Sequence, residues 1–477
     1  MQKTATTGDA DDQPVWSSTN AGGLPLRLFE LQGKLYRKAK AEPGFRFYSL
    51  FGQMLRRDVL MAAWGRVARN NGCPGVDGVT IARIVDRPGG VADVLDDIER
   101  DRRTRTYRPS AVKRVMIPKA HGTLRPLGIP TVKDRVVQTA LKLIIEPIFE
   151  ADFLECSHGF RPNHSAHHAL REVTTNVREG KGAAYDADLS SYFDTISHDK
   201  LMACVEKRIV DHSVLALIRL WLKAEVEERD EHGGPPRRTR PTAGTPQGEV
   251  ISPLLANLYL HWFDKLFHRD DGPRRWANAR LVRYADDFVI QARYISDRLR
   301  AWVETTVEGR FGLTINRTKT SVRQVTPDRT DGLDFLGYRI WHAPGFLRPG
   351  ERYLTANPTP KAMAAERENL RKIINPRMNW MPIRMLVNRV NRQTAGWSVY
   401  HRQGRPFRQF YQINTFVELR LISHLRRRSQ RPYRPPEGMT WWQHLTQQLG
   451  WKPLKLHRQP TDESHGKAGC GKSASPV

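Results

Sequence analysis

The sequence contains few cysteines, and the four that it has, Cys73, Cys156, Cys204 and Cys470, lie far apart. None belongs to a C-x-x-C pair, so the sequence predicts neither a disulfide framework nor a zinc ribbon, and it fits a reducing cytosol. The sequence also lacks any run of about 18 uncharged apolar residues, which excludes a membrane-spanning helix. Residues 1–20 have no apolar signal-peptide core, and we expect a disordered arm there.

Acidic residues are scarce relative to basic ones. The chain carries 77 Lys and Arg against 50 Asp and Glu, which gives a net charge of +27 and a pI near 10.3. Because such an excess repels itself unless a polyanion offsets it, nucleic acid is the expected partner, although a merely soluble basic surface would have the same composition. Residues 355–435 alone contain 17 Lys and Arg but 3 Asp and Glu, so phosphate contacts are expected mainly there.

The length of 477 residues is too great for one core, and we expect roughly two to four structural units. Residues 132–153 have the spacing of a long amphipathic helix. Strand and helix patterns alternate in the middle of the chain, which predicts an α+β fold with a sheet backed by helices. Beyond about residue 354 the strand patterns disappear, and three basic segments with helical spacing predict a helical domain. These segments are residues 361–374, 381–393 and 411–428.

The sharpest local feature is a pair of adjacent acids, Asp286 and Asp287, between two apolar runs in residues 281–291. This pattern is typical of a tight β-hairpin that carries both carboxylates at its turn. An ordinary acidic surface turn has the same pattern, so this segment alone leaves both interpretations open.

A second acidic segment, residues 183–194, favours the catalytic interpretation. Its period of two places Asp186 and Asp188 on one face of a strand whose other face is apolar. Acids on so apolar a strand are unfavourable unless a cation offsets them. Phosphoryl transfer needs such an arrangement, since two Mg²⁺ ions about 4 Å apart, bridged by carboxylates, can activate a 3′ hydroxyl and stabilise the leaving pyrophosphate.

Several blocks in a fixed order give the sequence its resemblance to a known family. Tyr284-Ala285-Asp286-Asp287, preceded by the Asp188 strand, resembles the palm of the reverse transcriptases, and of the group II intron reverse transcriptase/maturase branch in particular. Single blocks are weak evidence, but their ordered occurrence over residues 51–340 is very specific. The other blocks include Arg125-Pro126-Leu127-Gly128-Ile129-Pro130, His158-Gly159-Phe160-Arg161-Pro162, Gly244-Thr245-Pro246-Gln247-Gly248, Phe335-Leu336-Gly337-Tyr338 and, farther on, Gly396-Trp397-Ser398-Val399-Tyr400-His401.

The resemblance implies a right-hand polymerase fold. Fingers and a palm, with an antiparallel sheet backed by helices, would be followed by an α-helical thumb and maturase region called domain X. The expected divisions are an N-terminal arm and first helix at 1–50, fingers at 51–165, palm at 166–345, thumb and domain X at 355–430, and a basic, partly disordered tail at 431–477.

The resemblance also implies roles for the acids. Asp188 and Asp286 would bridge two Mg²⁺ ions, for which Mn²⁺ could substitute, and Asp287 would support the site. Asp186 is the local rival to Asp188. Phe193 matches the bulky gate that excludes a ribose 2′ hydroxyl, although simple core packing would also explain it.

Further residues match the family's nucleotide site. Lys119 and Arg125 would grip the triphosphate, and Gln247 would lie beside the nascent base pair. Lys319 matches the lysine proposed to protonate pyrophosphate. Many relatives carry a small residue where Glu249 stands, so the local contact there is expected to differ.

The basic helices resemble the RNA-binding surface of domain X. Aromatic residues are interleaved with the arginines there, and most of the aromatics are expected to pack within the bundle, whereas the arginines would hold phosphates. The arginines expected to bind RNA are Arg384, Arg389, Arg392, Arg426, Arg427 and Arg428.

Two other features bear on the type of protein. His158, His164, His167 and His168 lie close enough in sequence to raise a zinc hypothesis, but their spacing matches no known zinc motif, and a structural or RNA-facing role is favoured. Cys470 stands alone, so the zinc-stabilised endonuclease domain that ends many members of the family is expected to be absent.

The expected function is an RNA-directed DNA polymerase that binds group II intron RNA, assists its splicing as a maturase and copies it into cDNA. Its partners would be the intron RNA, an RNA template with a DNA primer, target DNA and deoxynucleoside triphosphates, in the bacterial cytoplasm and near the nucleoid. Two alternatives remain open. One is a reverse transcriptase of a CRISPR-associated, retron or diversity-generating system, and the other is a maturase that only assists splicing.

Overall fold

The computed structural model describes residues 23–118, 124–229, 234–345, 350–428 and 433–455. The chain forms two compact units, Met1–Leu333 and Asp334–Val477. The predicted N-terminal arm, the end of the basic tail, Lys119 and Cys470 lie outside the described residues.

The first unit contains thirteen α-helices and eight complete strands within its described residues. The helices are α1 Leu26–Ala41, α2 Leu50–Met54, α3 Arg57–Asn70, α4 Ile81–Val85, α5 Gly90–Arg103, α6 Val132–Glu150, α7 Ala166–Arg178, α8 Tyr192–Thr195, α9 His198–Glu206, α10 His212–Leu222, α11 Ser252–His268, α12 Pro273–Trp276 and α13 Asp297–Glu304. The strands are β1 Val112–Pro118, β2 Leu124–Ile129, β3 Ala183–Ala187, β4 Val226–Glu228, β5 Arg237–Thr239, β6 Arg280–Tyr284, β7 Asp287–Ala292 and β8 Ser321–Gln324.

Helix α6 lies at the centre of the first unit. Its start is fixed by Thr131, whose side-chain oxygen accepts a hydrogen bond from the Asp134 backbone N–H. The prediction of an amphipathic helix was wrong in one respect, because nearly every side chain of α6 is buried, polar ones included. Helices α1, α2, α3 and α5 pack around α6, so its polar residues find partners inside the protein instead of facing water.

Two four-stranded sheets accompany these helices. One has the strand order β6-β7-β3-β8, and all its neighbouring strands are antiparallel. The other has the order β2-β1-β4-β5, in which β1 and β2 form the predicted basic hairpin and β1 pairs with β4 in parallel. The predicted α+β class is confirmed.

The second unit combines strands with a helical bundle. A three-stranded sheet has the order β11-β10-β9, with β9 Gly332–Phe335 at the junction of the units, β10 Tyr338–Pro344 and β11 Arg352–Pro358. The helices are α14 Pro360–Ile373, α15 Ile383–Tyr400, α16 Phe407–Arg427 and the short α17 Trp441–Gln443.

The predicted loss of strand structure beyond about residue 354 was wrong by a few residues. Strand β11 continues to Pro358 because Thr355 and Ala356 pair with Trp341 and Ile340 of β10 and are buried. The three predicted helices are confirmed as α14, α15 and α16, and α15 and α16 form a core through Leu386, Val387, Val390, Ile413, Val417 and Leu421. Within the described residues, no helix has the length and apolarity needed to cross a membrane.

Candidate active site

The two adjacent acids lie on a hairpin, as predicted from sequence. Strands β6 and β7 pair up to Tyr284 and Asp287, which leaves Ala285 and Asp286 as a two-residue turn. Ala285 has a φ of +59°, the left-handed conformation that such tight turns require. The hairpin therefore presents Asp286 at its tip and Asp287 at the first position of β7.

Asp188 reaches the same place from a different strand. Ala187, the last residue of β3, pairs with Phe288 of β7, and an antiparallel register carries the next residue, Asp188, towards Asp287. The backbone at Asp188 is anchored, since its carbonyl oxygen accepts a hydrogen bond of 2.8 Å from the Asn316 N–H. Asp186, in contrast, lies within β3 opposite Val289.

The carboxylates at this place influence one another. Burial raises the pKa of Asp287 to about 6, and the charges of Asp286 and Asp188 contribute to the increase. Burial also raises the pKa of Asp286, where Asp188 adds to the shift and Arg125 opposes it. The Asp287 side chain retains access to water, which screens part of this repulsion. Among the acids outside the hairpin, Asp188 raises the pKa of both Asp286 and Asp287, whereas Asp186 is not among the leading contributions.

A cation would offset this concentration of negative charge. In the part of the chain that the structure describes, no group of three or more His, Cys, Asp or Glu side chains is already arranged to hold a metal ion. The ammonium of Lys319 lies 3.2 Å from Asp188 Oδ2 and balances one carboxylate. The donors nevertheless suit Mg²⁺, because they are carboxylate oxygens that repel one another and that a hard divalent ion would draw together.

A buried arginine supports the β6-β7 hairpin. Arg283 of β6 is fully buried, and its Nε and Nη2 donate to both carboxylate oxygens of Asp264 on α11, at 2.9 and 2.5 Å. Its Nη1 donates to the carbonyl oxygen of Ala285 at 2.9 Å and to Asn257 Oδ1 at 3.0 Å. One guanidinium therefore ties the turn that carries Asp286 to helix α11.

Gly159 also lies directly against this turn. A β-carbon at Gly159 would lie 2.2 Å from the backbone nitrogen of Ala285, a separation that no side chain could adopt. Asn257 Nδ2 donates to the Gly159 carbonyl oxygen at 2.5 Å, and the backbone around Ser157 pairs with Arg283. The His158-Gly159 block is thus the structural backing of the acidic turn.

A loop and the basic hairpin meet near the acids. Arg125 Nε of β2 donates to Gln247 Oε1 at 2.5 Å, and the Gly128 N–H donates to the Gln247 carbonyl oxygen at 2.5 Å. Gly248, with a φ of +107°, lies so close to Gly128 that a side chain would not fit. A cavity of about 320 Å³ lies beside this loop and is lined in part by Gln247 and Asp194.

Comparison with known proteins gives the family to which the chain belongs. A family model described as reverse transcriptase (RNA-dependent DNA polymerase) matches residues 117–340, and one described as group II intron, maturase-specific domain, matches residues 363–442. Protein YkfC of Escherichia coli strain K12 is 35% identical over 348 residues, which cover 66% of this chain and 88% of YkfC. The chain belongs to the group II intron reverse transcriptase/maturase family.

Other relatives are longer than this reverse transcriptase. The group II intron-encoded protein LtrA of Lactococcus lactis subsp. cremoris is 35% identical over 46% of this chain and 35% of its own length. An uncharacterized 91 kDa protein in the cob intron of Schizosaccharomyces pombe is 27% identical over 78% of this chain and 53% of its own length. The right-hand polymerase fold expected from sequence is confirmed, and a reverse transcriptase domain of this kind is a metal-dependent nucleotidyltransferase.

Phe193 of the reverse transcriptase lies next to the Gln247 loop. It belongs to the short helix α8, is 6% exposed, and packs against Tyr192 with ring centroids 5.5 Å apart. Its carbonyl oxygen accepts a hydrogen bond of 2.7 Å from the Thr245 N–H, so α8 and the loop are held together. This placement is compatible with both of the roles considered for Phe193, a sugar gate and a packing residue.

In the histidine cluster of the reverse transcriptase, His158 contacts both His164 and Glu172. His158 Nδ1 and His164 Nδ1 are 3.2 Å apart, and His158 Nε2 lies 2.7 Å from Glu172 Oε2. Burial, followed by the charge of Arg161, lowers the pKa of His164 to about 3.

The arginines expected to bind RNA differ in their surroundings. Arg384, Arg389 and Arg392 are exposed on α15. At the end of α16, Arg428 donates to the Met381 carbonyl oxygen at 2.7 Å, and the guanidinium of Arg426 lies 5.5 Å from the centre of the Trp441 ring. Arg426 and Arg427 are also exposed, whereas Arg428 is half-buried, so Arg428 is the least open of the six to a ligand.

The sequence alone did not identify the residues that support the acidic turn. Arg283 lies in an otherwise apolar run, and a charged residue inside such a run signals a buried partner. The partner, Asp264, is on a helix whose pairing with β6 is fixed by the tertiary fold, so it had no local signal.

Proposed function

We propose that this reverse transcriptase copies RNA templates into DNA with two Mg²⁺ ions held by Asp188, Asp286 and Asp287, and that Mn²⁺ can replace them. The observation that carries the proposal is that Asp188, directly after β3, lies beside the β6-β7 hairpin that carries Asp286 and Asp287, because Ala187 pairs with Phe288. When bound, such ions supply the charge that activates a 3′ hydroxyl and stabilises pyrophosphate.

The surrounding side chains have complementary tasks in this proposal. The primer 3′ hydroxyl loses its proton to water, its oxygen forms a bond to the α-phosphorus, and the bond from that phosphorus to the oxygen that bridges it to the β-phosphorus breaks. Arg125 binds the triphosphate with its planar donors, and Gln247, to which it is hydrogen-bonded, borders the nascent pair. Lys319 donates a proton to the leaving pyrophosphate from its place beside Asp188. Phe193 rejects ribonucleotides by contact with the 2′ hydroxyl.

We further propose that the second unit binds a group II intron RNA, assists its splicing, and delivers it to the polymerase for copying into cDNA during intron mobility. The match of residues 363–442 to the maturase-specific domain and the exposed arginines of α15 support this. The remaining partners would be a primer, target DNA and deoxynucleoside triphosphates. A bacterial cytoplasmic, nucleoid-associated location is proposed because the net charge of +27 favours attraction to nucleic acid.

Primer extension on an annealed RNA template and DNA primer in Mg²⁺ tests the polymerase proposal. Asp286→Ala is expected to abolish extension while binding of the template-primer survives. Asp186→Asn is the matched control, because Asp186 lies two residues before Asp188 on the same segment, and it is expected to extend normally. Equal extension by wild type and Asp286→Ala would refute the assignment.

The two alternative systems make different predictions about the neighbouring DNA. A coding sequence inside a folded intron RNA supports the maturase function, whereas one beside a repeat array supports a CRISPR-associated reverse transcriptase. A protein that restores splicing but never extends a primer would be a splicing-only maturase, which the retention of Asp188, Asp286 and Asp287 argues against.

A further inference from the structure

The segment after α17 is fastened to the helical bundle of the second unit by two asparagines. Asn391 of α15 donates to the Gly450 carbonyl oxygen at 2.8 Å and accepts from the Lys452 N–H at 2.9 Å. Asn414 of α16 makes a similar pair of bonds with the backbone of Leu454, at 3.0 and 2.9 Å. Each amide thus bonds to the backbone as a neighbouring strand would, and together they hold residues 450–454, here called the extended segment, against the two helices.

This arrangement leaves a groove between the extended segment and α15. Its volume is about 710 Å³, within the range of about 300–1,000 Å³ that is typical of small-ligand sites. Ala395 and Ser398 of α15 are small enough to leave depth, and the Ser398 hydroxyl donates to the Ala395 carbonyl oxygen at 2.8 Å. Trp442 and Trp451 form the aromatic part of the wall.

Trp442 is held in place but remains open to a ligand. Its ring packs edge to face against Trp451, with ring centroids 5.0 Å apart and an angle of 73° between the planes. Trp451 is 2% exposed and anchors the pair in the core, whereas Trp442 is 43% exposed. A rigid aromatic surface that is accessible at the edge of a groove is what a nucleic-acid base uses for stacking.

The charge of the groove favours the same kind of ligand. Lys452 and Lys455 line it and are exposed, and none of the described residues that line it is acidic. A nucleotide has a phosphate, which an ammonium group can bind, and a base, which can stack on an aromatic ring. A groove that offers both groups therefore suits a nucleotide. A purely apolar peptide would leave the two lysines without a function.

We propose that this groove binds an unpaired nucleotide of single-stranded RNA, with its base stacked on Trp442 and its phosphates held by Lys452 and Lys455. The inference rests on the proposed function in one respect, namely that RNA is the ligand of the second unit. Trp442 is the last residue of the region that matches the maturase-specific domain, and the extended segment with both lysines lies beyond it, so the groove continues the contact past that region.

Binding of a labelled single-stranded RNA oligonucleotide to the full-length protein tests the inference. Trp442→Ala is expected to weaken binding roughly tenfold, as the loss of one stacked base would, and Trp442→Phe is expected to keep most of the affinity. Trp380→Ala is the matched control, because Trp380 is 74% exposed in the same unit but is not among the residues that line the groove. Equal affinities of wild type and Trp442→Ala, or equal losses in both alanine variants, would overturn the inference.

An oligonucleotide that lacks its bases separates stacking from charge. Wild type is expected to bind the abasic strand more weakly than the normal one, while Trp442→Ala binds the two alike. The logarithm of the RNA-binding constant falls linearly with the logarithm of the salt concentration. Replacing Lys452 and Lys455 with glutamine is expected to make this slope shallower by about 0.7 for each phosphate that is no longer neutralised. If both lysine changes leave the slope unchanged, the assignment of the phosphates to these lysines is wrong.

Two further measurements test whether a second copy of the chain occupies the groove and whether the polymerase proposal fails independently of it. Sedimentation of Trp442→Ala showing an altered oligomeric state with unchanged RNA affinity would assign the groove to a second copy of the chain and overturn the inference. Trp442→Ala is expected to extend a pre-annealed primer at the wild-type rate. Failure of the wild type itself to extend the primer would count against the proposed polymerase function, whereas absence of the Trp442 effect alone would count against the groove.

Discussion

Arg283 and Asp264 form an ion pair in which both side chains are 0% exposed, and the same guanidinium holds the turn that carries Asp286. Asn257, one of its other partners, lies on the same helix as Asp264 and two turns before it. Because a buried charge without its partner is strongly unfavourable, the pair links the stability of the first unit to the shape of the acidic turn.

Removal of one charge from this pair should therefore destabilise the protein severely. Asp264→Asn is expected to lower the free energy of unfolding by about 3–5 kcal/mol, because Arg283 remains buried and uncompensated. Urea unfolding measures the change. Asp270→Asn is the control, since Asp270 and Arg275 are an exposed pair that is expected to contribute at most about 1 kcal/mol. Similar losses in the two variants would contradict the argument.

A milder change at the same pair separates positioning from stability. Arg283→Lys keeps the charge but cannot reach Asp264, Asn257 and the Ala285 carbonyl oxygen together, because an ammonium lacks the planar fork of a guanidinium. Primer extension is expected to fall roughly 10–100-fold, as a displaced reactive group would cause, while template-primer affinity stays unchanged. A loss of extension no larger than the loss of folded protein would show that Arg283 is only structural.

Because Gly159 has no side chain, the turn formed by Ala285 and Asp286 can lie directly against the backbone of residues 157–161. Gly159→Ala would place a methyl group 2.2 Å from the Ala285 nitrogen, so the turn or residues 157–161 must move. We expect primer extension to be lost and the melting temperature to fall. Gly396→Ala is the control, because nothing lies within 4 Å of its new methyl group and alanine favours a helix by about 1 kcal/mol. An active Gly159→Ala protein would show that the contact is unimportant.

The parts of the site that follow local patterns could be predicted from the sequence. The alternation around Asp186 and Asp188 and the apolar runs around Asp286 and Asp287 indicated the strands and the hairpin, because strand periodicity and turn position are local properties. The register that brings Asp188 rather than Asp186 towards the turn was not local. It depends on the pairing of β3 with β7, which are about a hundred residues apart in the chain.

Tertiary burial explains most of what the sequence did not predict. The polar residues of α6 looked like a solvent-facing side, but Asp134 accepts hydrogen bonds from the Tyr107 hydroxyl at 2.6 Å and the Ser110 N–H at 3.1 Å. Periodicity cannot distinguish a polar residue that faces water from one that meets a buried partner.

Glu249 gives a pH dependence that can be measured. Its side chain is 4% exposed, and burial, followed by the charge of Asp134, raises its pKa to about 8. Between the unfolded pKa, about 4.3, and the folded one the native protein holds one more proton than the unfolded chain, so this group makes the free energy of unfolding decrease as the pH rises. The stabilisation that comes from the extra proton on Glu249 is fully present below about pH 4.3, and it is lost as the pH rises above about 8.

Glu249→Gln should remove that dependence. The amide stays neutral and can still contact Gln138, which accepts a hydrogen bond of 2.9 Å from the Val250 N–H. We expect the variant to gain stability relative to wild type as the pH is raised from 5 to 8 in thermal unfolding. Glu30→Gln, at an exposed position on α1, is the control and should not alter the slope. Parallel curves for wild type and Glu249→Gln would disprove the effect.

The two interpretations of Phe193 predict different substrate selectivity. If Phe193 meets the incoming sugar, Phe193→Val should make room for a 2′ hydroxyl and raise the efficiency of ribonucleotide incorporation relative to deoxynucleotide incorporation by about tenfold or more. Single-nucleotide extension with each substrate gives the ratio. If Phe193 only packs against Tyr192, the variant should lose activity with both substrates equally.

The exposed arginines of α15 should act through phosphates rather than through bases. Replacing Arg384, Arg389 and Arg392 with glutamine is expected to weaken RNA binding for all sequences alike and to reduce the steepness of its salt dependence. Arg428→Gln is the comparison, because its contact with the Met381 carbonyl oxygen leaves it less available to RNA, and it should change the slope less. Since each neutralised phosphate releases its own counterions, a triple variant with the wild-type slope would mean that RNA binds to a different face of the second unit.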